Sequence, residues 1–486
     1  MTGNSLEAAA DRITKRRRWL AFSVLLIGAF MDSVDATMMT VMVPAIRADL
    51  RASESTAQWA VAGYLLAFAM LLVVGGRCGD VFGKRRTFVV GATVFGLAST
   101  WCAAAITGPV LVLGRVAQGM GAAAMVPQVV AMVNTLFPRK DWSAAFGVFG
   151  AVLSVGSVSG PLIGGLVTAA DVGGLGWRAA FLLNIPLCLL AVVASRWIPD
   201  DHTTTTGRLD IIGVLLSSAS ACAVLIPLVN GREMGWPLWS FALLLTAAPT
   251  GWAFWAHQRR LDAYVRARRL AARSRALPLI PPRLFSNAQF GEGLLVVLVV
   301  YMAVTPCFLI ISLVLQGQLG WSIVRTALVT AAWPLGIAAT FQIAWRAGAR
   351  RERQLLPLGC LLMAVGVLLL AVIFYHGDGA LTWQVTVCLA VLGGGMGLTS
   401  PVLTARVLAQ VSPEDNGAGS GVLNAVVQFG GAAGVAVLGT LFFLLGGRDG
   451  AASATLGVDA ALLVLAAVFS VRVLTRRHDI PTEGEA

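Results

Sequence analysis

The chain has 486 residues, of which 57% are hydrophobic and 12% are charged, and its formal net charge is +12. A soluble domain of this length does not need so much apolar sequence for its core, so the composition predicts a polytopic protein embedded in a lipid bilayer. The basic residues fall in short clusters between apolar runs. That pattern is typical of cytoplasmic loops between membrane spans, so we expect no nucleic-acid partner.

The first apolar run, residues 19–46, carries two acids, Asp32 and Asp35. The run can cross a bilayer, which takes about 20 helical residues, and two residues three positions apart share one face of a helix. A charge at membrane depth costs about 2.5–3.5 kcal/mol, so such acids usually face a cavity or a partner. Like charges this close disfavour joint ionisation, which indicates a proton or substrate role. The alternative is that both acids only bridge to a neighbouring helix.

A tight basic turn, GRCGDVFGKRR at residues 76–86, separates the second and third predicted spans. Its charge places the turn in the cytoplasm, and the basic segment 12–18 places the amino terminus there as well. With an even number of spans, the carboxyl terminus is also predicted to be cytoplasmic.

Two later spans are unusually rich in glycine. The segment LGRVAQGMGAAAMVPQ, residues 113–128, places Arg115 inside an apolar run. A guanidinium at that depth needs a counter-charge, and Asp32 and Asp35 are the nearest plausible ones in this half. The segment VGSVSGPLIGG follows at residues 155–165. Small residues allow close helix packing, which is the alternative to a functional role, and Pro161 is expected to bend its helix.

The remaining spans repeat this layout. The first half ends with a sixth span at 177–199 and a threonine-rich link, and two additional spans follow at 211–230 and 238–257. After them comes a basic segment, 259–275, which is either a helix on the membrane surface or a solvated linker. Six more spans begin near residues 290, 323, 355, 383, 417 and 458, which makes about fourteen at roughly 20 residues each. The predicted domains are residues 1–200, 201–289 and 290–486.

Acidic residues are distributed unequally between the two halves. In the second half, Glu292 lies near the start of a span, and Asp378, Glu414, Asp415 and Asp459 are predicted to lie in or beside loops. We therefore expect no carboxylate deep in a span of the second half.

Four segments resemble motifs of the major facilitator superfamily. Residues 76–86 resemble its loop motif, residues 113–123 its fourth-helix arginine motif, and residues 156–165 its fifth-helix exporter motif. The segment FMDSVDATMMTVMVP, residues 30–44, is similar to the first-helix signature of the fourteen-span drug/proton antiporters, with Asp35 in the motif position. The resemblance covers essentially the whole chain. It implies an all-α membrane fold with two six-helix bundles and two additional central spans.

The resemblance also implies roles for individual residues. Asp35, with the extra acid Asp32, would bind the proton or substrate, and Arg115 would couple proton binding. The other implied residues form a gating loop, Gly76, Asp80, Gly83, Lys84 and Arg85, and an antiporter helix, Gly156, Gly160, Pro161, Gly164 and Gly165.

The expected function is proton-driven export of a small amphipathic drug or antibiotic, such as one made by the host. Arginine greatly outnumbers lysine, which is typical of a GC-rich bacterial genome, so we expect a location in a bacterial inner membrane. The protein is also expected to be a monomer. No metal or other cofactor is expected besides the proton gradient. An enzyme is disfavoured because the four histidines lie in loops or at membrane edges without a catalytic motif. A proton-coupled importer and a membrane sensor or scaffold remain the alternatives.

Overall fold

A computed structural model of the chain describes residues 15–138, 141–199, 210–267, 278–347, 351–376, 382–411, 416–446 and 450–475. Within these residues the chain forms sixteen α-helices and no β-strand. The prediction of an all-α fold is therefore confirmed.

The first six predicted spans form one bundle of helices. Its helices are α1 (Lys15–Leu50), α2 (Glu54–Phe82), α3 (Lys84–Ala103), α4 (Gly108–Leu136), α5 (Trp142–Ala170), and a sixth span that is divided into α6 (Arg178–Leu182) and α7 (Asn184–Ala194). Helix α4 packs against α2 and α3, and α1 packs against α5. This arrangement places α1, which carries both acids, beside the two glycine-rich helices.

The second bundle repeats that packing. It consists of α10 (Ala288–Leu313), a span divided into α11 (Ile323–Thr330) and α12 (Ala332–Ala347), α13 (Glu352–Tyr375), α14 (Thr382–Leu408), α15 (Asn416–Leu444) and α16 (Ala451–Thr475), and it follows the two additional spans α8 (Ile211–Asn230) and α9 (Leu238–Ala267). Helix α14 packs against α12 and α13 as α4 does against α2 and α3, and α10 packs against α15 as α1 does against α5. The internal repeat seen in the sequence is thus also a repeat of helix packing.

Twelve helices among the described residues are long and apolar enough to cross a membrane. Helices α3 and α9 occupy the positions of the third and eighth predicted spans, but they are less apolar because α3 begins with Lys84, Arg85 and Arg86 and the second half of α9 is charged. The protein is a multi-pass membrane protein, and the number fourteen is approximate.

Several predictions concern parts of the chain outside the described residues. They include the two cytoplasmic termini, residues 1–14 and 476–486, and most of the threonine-rich link, residues 200–209. The predicted surface helix at 259–275 is described only to Ala267, where it continues α9.

One buried carboxylate fixes the start of α8, the first of the two additional spans. Asp210 caps α8 by accepting from the backbone N–H of Gly213 at 2.9 Å, which satisfies one of the free donors at a helix start. Its other contacts come from α9, where His257 Nε2 lies 2.8 Å from Oδ1 and Gln258 donates to Oδ2 at 2.7 Å. Asp210 therefore ties α8 to α9.

The first bundle has two ends, and we name each end after a turn that it contains. The first-loop end holds the α1–α2 turn, residues 51–53, and the basic end holds the start of α1 and the α2–α3 turn at Gly83. The two bundles meet along α2–α15, α5–α11 and α1–α10. At the first-loop end, Gln316 donates to the carbonyl of Val41 at 2.9 Å, and the Arg47 guanidinium lies 5.6 Å from the ring centre of Phe443. These contacts close the first-loop end between the bundles.

The turn between α8 and α9 joins both bundles at this same end. Glu233 accepts from the backbone N–H and the hydroxyl of Ser55, at 2.6 and 2.7 Å. Arg232 forms an ion pair with Glu54 on α2 and donates to the carbonyl of Phe443 on α15 at 3.4 Å. We call Arg232 and Glu233 the clamp. Because the clamp holds α2 and α15 together, separation of the bundles at this end requires some of its bonds to break.

Removal of the clamp should favour opening of the first-loop end. The double variant Arg232→Ala/Glu233→Gln loses partly exposed bonds worth about 1 kcal/mol together, which corresponds to a shift of roughly fivefold in population. The measurement is the yield of a short cysteine cross-linker between Gln58→Cys and Thr440→Cys, whose native side chains lie 3.4 Å apart across the bundles, in a background without native cysteines.

The matched control is Arg325→Ala. Arg325 is an arginine of the same end that bonds to Thr382 within the second bundle, at 3.0 Å from its Nε, and so does not bridge the two bundles. An unchanged cross-linking yield in the clamp variant, or an equal fall in the control, would contradict the clamp.

Candidate functional site

The structure brings Arg115 and Asp35 together as an ion pair in the interior of the first bundle. Arg115 is 1% exposed and Asp35 is 0% exposed. Nη1 of Arg115 pairs with Oδ2 of Asp35, and Nε donates to the backbone carbonyl of Ala60 at 3.0 Å. The two charges therefore neutralise each other in an interior that solvent does not reach. This is the counter-charge that the sequence analysis expected for Arg115.

The second oxygen of Asp35 is held by two amide side chains. Oδ1 accepts from Gln118 at 3.1 Å and from Asn184 at 3.0 Å. Both amides also donate to the Ser99 hydroxyl, at 2.8 and 3.2 Å, and Gln118 accepts from Arg115 at 2.8 Å. A buried ion pair is tolerated only when its remaining polar atoms are bonded, and here both carboxylate oxygens are.

Asp32 lies on the same side of α1 but differs from Asp35 in exposure and in partner. It is partly exposed, and the hydroxyl of Tyr64 donates to it. The Tyr64 ring lies under the guanidinium of Arg115, 4.4 Å from its centre. Tyr64 thus connects the two acids through Arg115. The polar network consists of Asp32, Asp35, Tyr64, Ser99, Arg115, Gln118 and Asn184.

Four members of the network are not among the site residues predicted from the sequence, namely Tyr64, Ser99, Gln118 and Asn184. The available signal was the same for all four, since each is a polar side chain inside an apolar run. They come from α2, α3, α4 and α7, so only the packing of these helices shows that they meet.

The gating-loop residues lie at the basic end, away from the network. Sixteen residues along α2 separate Tyr64 from Asp80, about 24 Å at the helical rise. Asp80 is 3.8 Å from Arg77, and Lys84 donates to Thr135 on α4 at 2.9 Å. Gly83 ends α2 with φ +95°, a conformation that side chains rarely adopt.

The other two gating-loop residues are less constrained. Gly76 lies within α2, where an added Cβ would meet only Pro127 at an ordinary 3.9 Å. Arg85 is partly exposed in the first turn of α3. The turn conformation therefore requires Gly83 and does not require Gly76.

The glycines of α5 lie on two faces of the helix. Gly156, Gly160 and Gly164 face α1, and a Cβ at Gly160 would come 2.7 Å from the carbonyl of Val34, next to Asp35. Gly165 faces the second bundle, where a Cβ would lie 2.6 Å from that of Ala327 on α11. Pro161 is buried inside α5 between these contacts. We call Gly156, Gly160 and Gly164 the glycine stripe. The glycine stripe holds α1, which carries both acids, against α5, which also contacts the second bundle.

Removal of the Arg115 charge should destabilise the first bundle. Arg115→Gln leaves Asp35 buried without its cation, and breaking such a pair costs about 3–5 kcal/mol. The double variant Arg115→Gln/Asp35→Asn removes both charges and should recover most of that loss. The measurement is the midpoint of thermal unfolding in detergent.

The control for this experiment is an exposed pair in the same bundle. Arg178 and Asp49 lie 2.6 Å apart and are 24% and 46% exposed, so Arg178→Gln should cost about 1 kcal/mol or less. If Arg115→Gln lowered the midpoint no more than Arg178→Gln does, the stabilising role of the buried pair would be wrong.

Comparison with known proteins extends over nearly the whole chain. The family model described as Major Facilitator Superfamily matches residues 25–277 and 293–485. A probable actinorhodin transporter of Streptomyces coelicolor is 39% identical over 93% of this chain and 77% of its own length. A puromycin resistance protein of Streptomyces alboniger is 34% identical over 90% of this chain and 84% of its own length.

A solved structure shows the same fold at low sequence identity. The inward open conformation of the xylose transporter XylE from E. coli superposes with a TM-score of 0.66 at 14% identity, over 95% of this chain and 98% of that one. The helical fold of the chain agrees with these similarities. The chain belongs to the major facilitator superfamily, as one of its antibiotic and drug efflux transporters rather than an enzyme.

Proposed function

We propose that the protein is a proton-coupled antiporter that exports a small amphipathic antibiotic or drug from the cytoplasm across a bacterial inner membrane. The observation that supports this most directly is the sealed Arg115–Asp35 pair, because its stability depends on the protonation of one carboxylate. The antibiotics in the relatives' names favour a substrate of this class, such as an antibiotic that the host makes. The proton gradient supplies the energy, and the protein acts as a monomer without a cofactor.

The coupling step is a change in charge at Asp35. When Asp35 takes up a proton it becomes a neutral acid and no longer balances Arg115. A buried guanidinium without a counter-charge is unfavourable, so the polar network must rearrange, and the protonated protein prefers another conformation. The proton and the substrate are exchanged because each favours a different conformation. The partly exposed Asp32 is positioned to meet the proton or the substrate first.

The rearrangement can reach the second bundle through α5. The glycine stripe fits α5 closely to α1 beside Asp35, and Gly165 fits it closely to α11. A shift of α1 is therefore transmitted to the interface between the bundles, as alternating access requires. The gating loop, with Asp80, Lys84 and Arg85, would close the basic end when the first-loop end opens.

The distribution of charge supports the orientation of the protein. Lys84, Arg85 and Arg86 lie at the basic end, together with Lys15 to Arg18 at the start of α1. Cytoplasmic loops carry an excess of such residues, so the basic end faces the cytoplasm and both termini lie there. The clamp then faces the outside and holds the outer side closed.

Asp35→Asn should abolish proton-driven accumulation and leave passive exchange intact, because the amide can still bond but cannot take up a proton. The measurement uses inverted membrane vesicles with an acidic interior and puromycin as the probe. Wild-type vesicles should accumulate puromycin against its gradient, whereas Asp35→Asn vesicles should only equilibrate it. Asp49→Asn is the control, since it neutralises an exposed acid in the last turn of the same helix.

Three outcomes would change the proposal. Wild-type accumulation by Asp35→Asn would remove Asp35 from coupling. Loss of accumulation in Asp32→Asn alone would move the proton site to Asp32. Movement of puromycin out of the vesicles with the proton flow would favour the importer.

A further inference from the structure

Asp459 is a buried carboxylate in the second bundle. It is the ninth residue of α16 and is 0% exposed. Neither of its oxygens accepts a hydrogen bond from a residue that the structure describes. The sequence predicts that the last span begins near residue 458 and that Asp459 lies beside a loop. That prediction is wrong, since α16 begins one and a half to two turns earlier, at Ala451.

No cation lies close to Asp459 among the described groups of the helices around it. Helix α16 packs against α10, α13 and α15. The thiol of Cys307 on α10 is within electrostatic range of the carboxylate. The other ionisable side chains described on these four helices are Glu292, Tyr301, Arg353, Cys360, Tyr375 and Arg472.

The two arginines among these groups are remote. Arg472 follows Asp459 by thirteen residues on the same helix, which is about 20 Å. Arg353 is in the first turn of α13, and Tyr375, at the last residue of that helix, is exposed. The charge of Asp459 therefore has no described counter-charge at its own depth.

The repeat shows which groups of the first bundle correspond to this site. Gly160 of α5 meets Val34 of α1, and Gly434 of α15 meets Met302 of α10. Ala303 therefore corresponds to Asp35, and Cys307 lies about one helical turn from that depth. Asn184, in the last span of the first bundle, bonds to Asp35, and Asp459 is in the last span of the second. Gly395 of α14 meets Gly359 of α13 as Gly121 of α4 meets Gly91 of α3. This correspondence places Leu389, which is also fully buried, where the first bundle has Arg115. The second bundle thus has a carboxylate at this level but no arginine to balance it.

We propose that Asp459 is a second proton-binding site of the transporter. In the conformation described, Asp459 carries its proton as a neutral acid, because an ionised carboxylate without a partner is strongly disfavoured at membrane depth. In the opposite conformation it gains access to water, releases the proton and becomes negatively charged. The proposal rests on proton coupling as proposed above. It assigns part of that coupling to the second bundle.

The protonation can be tested without any substrate. Infrared spectroscopy of the purified full chain in liposomes detects the carbonyl stretch of a protonated carboxylic acid in an apolar site. The wild type should show this band near neutral pH, and the difference spectrum between the wild type and Asp459→Asn should contain it. Asp210→Asn is the matched control, because Asp210 is also buried but is bonded to Gly213, His257 and Gln258. A difference spectrum without this band would overturn the proposal, whatever other acids of the chain contribute to the wild-type spectrum.

The coupling is tested in the vesicles described above. Asp459→Asn should reduce uphill puromycin accumulation by roughly tenfold and leave downhill exchange unchanged. Asp459→Glu, which keeps an ionisable group, should retain the infrared band and part of the accumulation. Wild-type accumulation by Asp459→Asn would overturn the proposal even if the band is lost.

The failure of the proposed function would look different. If the wild type did not move puromycin against its gradient, proton-coupled export of this probe would be wrong. Loss of the infrared band in Asp459→Asn would still support a proton on Asp459.

Discussion

The first bundle depends on one constraint, the need to cancel the charge of Arg115 in an interior without solvent. Breaking a buried pair of this kind costs about 3–5 kcal/mol, a large part of the roughly 5–15 kcal/mol that separates a typical folded domain from its unfolded state. The pair itself joins α1 and α4, the groups that bond to it come from α2, α4 and α7, and Ser99 of α3 accepts from two of those groups. The position of Arg115 therefore restricts how five helices can pack, and a change in charge at the pair acts on all of them.

Such a constraint becomes useful for transport when the structure has two arrangements of similar energy. Helix α1 is attached firmly to α5 by the glycine stripe, and α5 contacts the second bundle through Gly165. The clamp also holds the two bundles together, at the contact between α2 and α15. Its contribution is modest because its bonds are partly exposed. The weak clamp can break when the strong buried pair changes state. In the proposed mechanism, the protonation of the buried pair therefore decides which end is closed.

The fold was largely predictable because apolar runs of membrane-spanning length leave little alternative to helices, and the repeat indicated how the two halves pack. Asp35 and Arg115 were predictable because a charge within an apolar run is rare and must have a partner. Tyr64, Ser99 and Asn184 were not, because polar uncharged residues are common in such runs and their meeting point is set by packing. The clamp was missed since Arg232 and Glu233 lie in an ordinary polar turn. Asp459 was misplaced by an error of about two turns in a helix start.

The two bundles differ in how the charge of their buried aspartate is balanced. If both bundles carried the same charges at the same depth, a proton would affect both alike and would not favour either conformation through their difference. The chain instead has an aspartate balanced by arginine in the first bundle, whereas the second has an aspartate without a described cation and Leu389 in place of the arginine. In a single conformation one acid can then be ionised while the other is neutral. In the proposed mechanism, a conformational change that exposes one site and seals the other reverses both states, so the asymmetry links proton movement to the motion of the bundles.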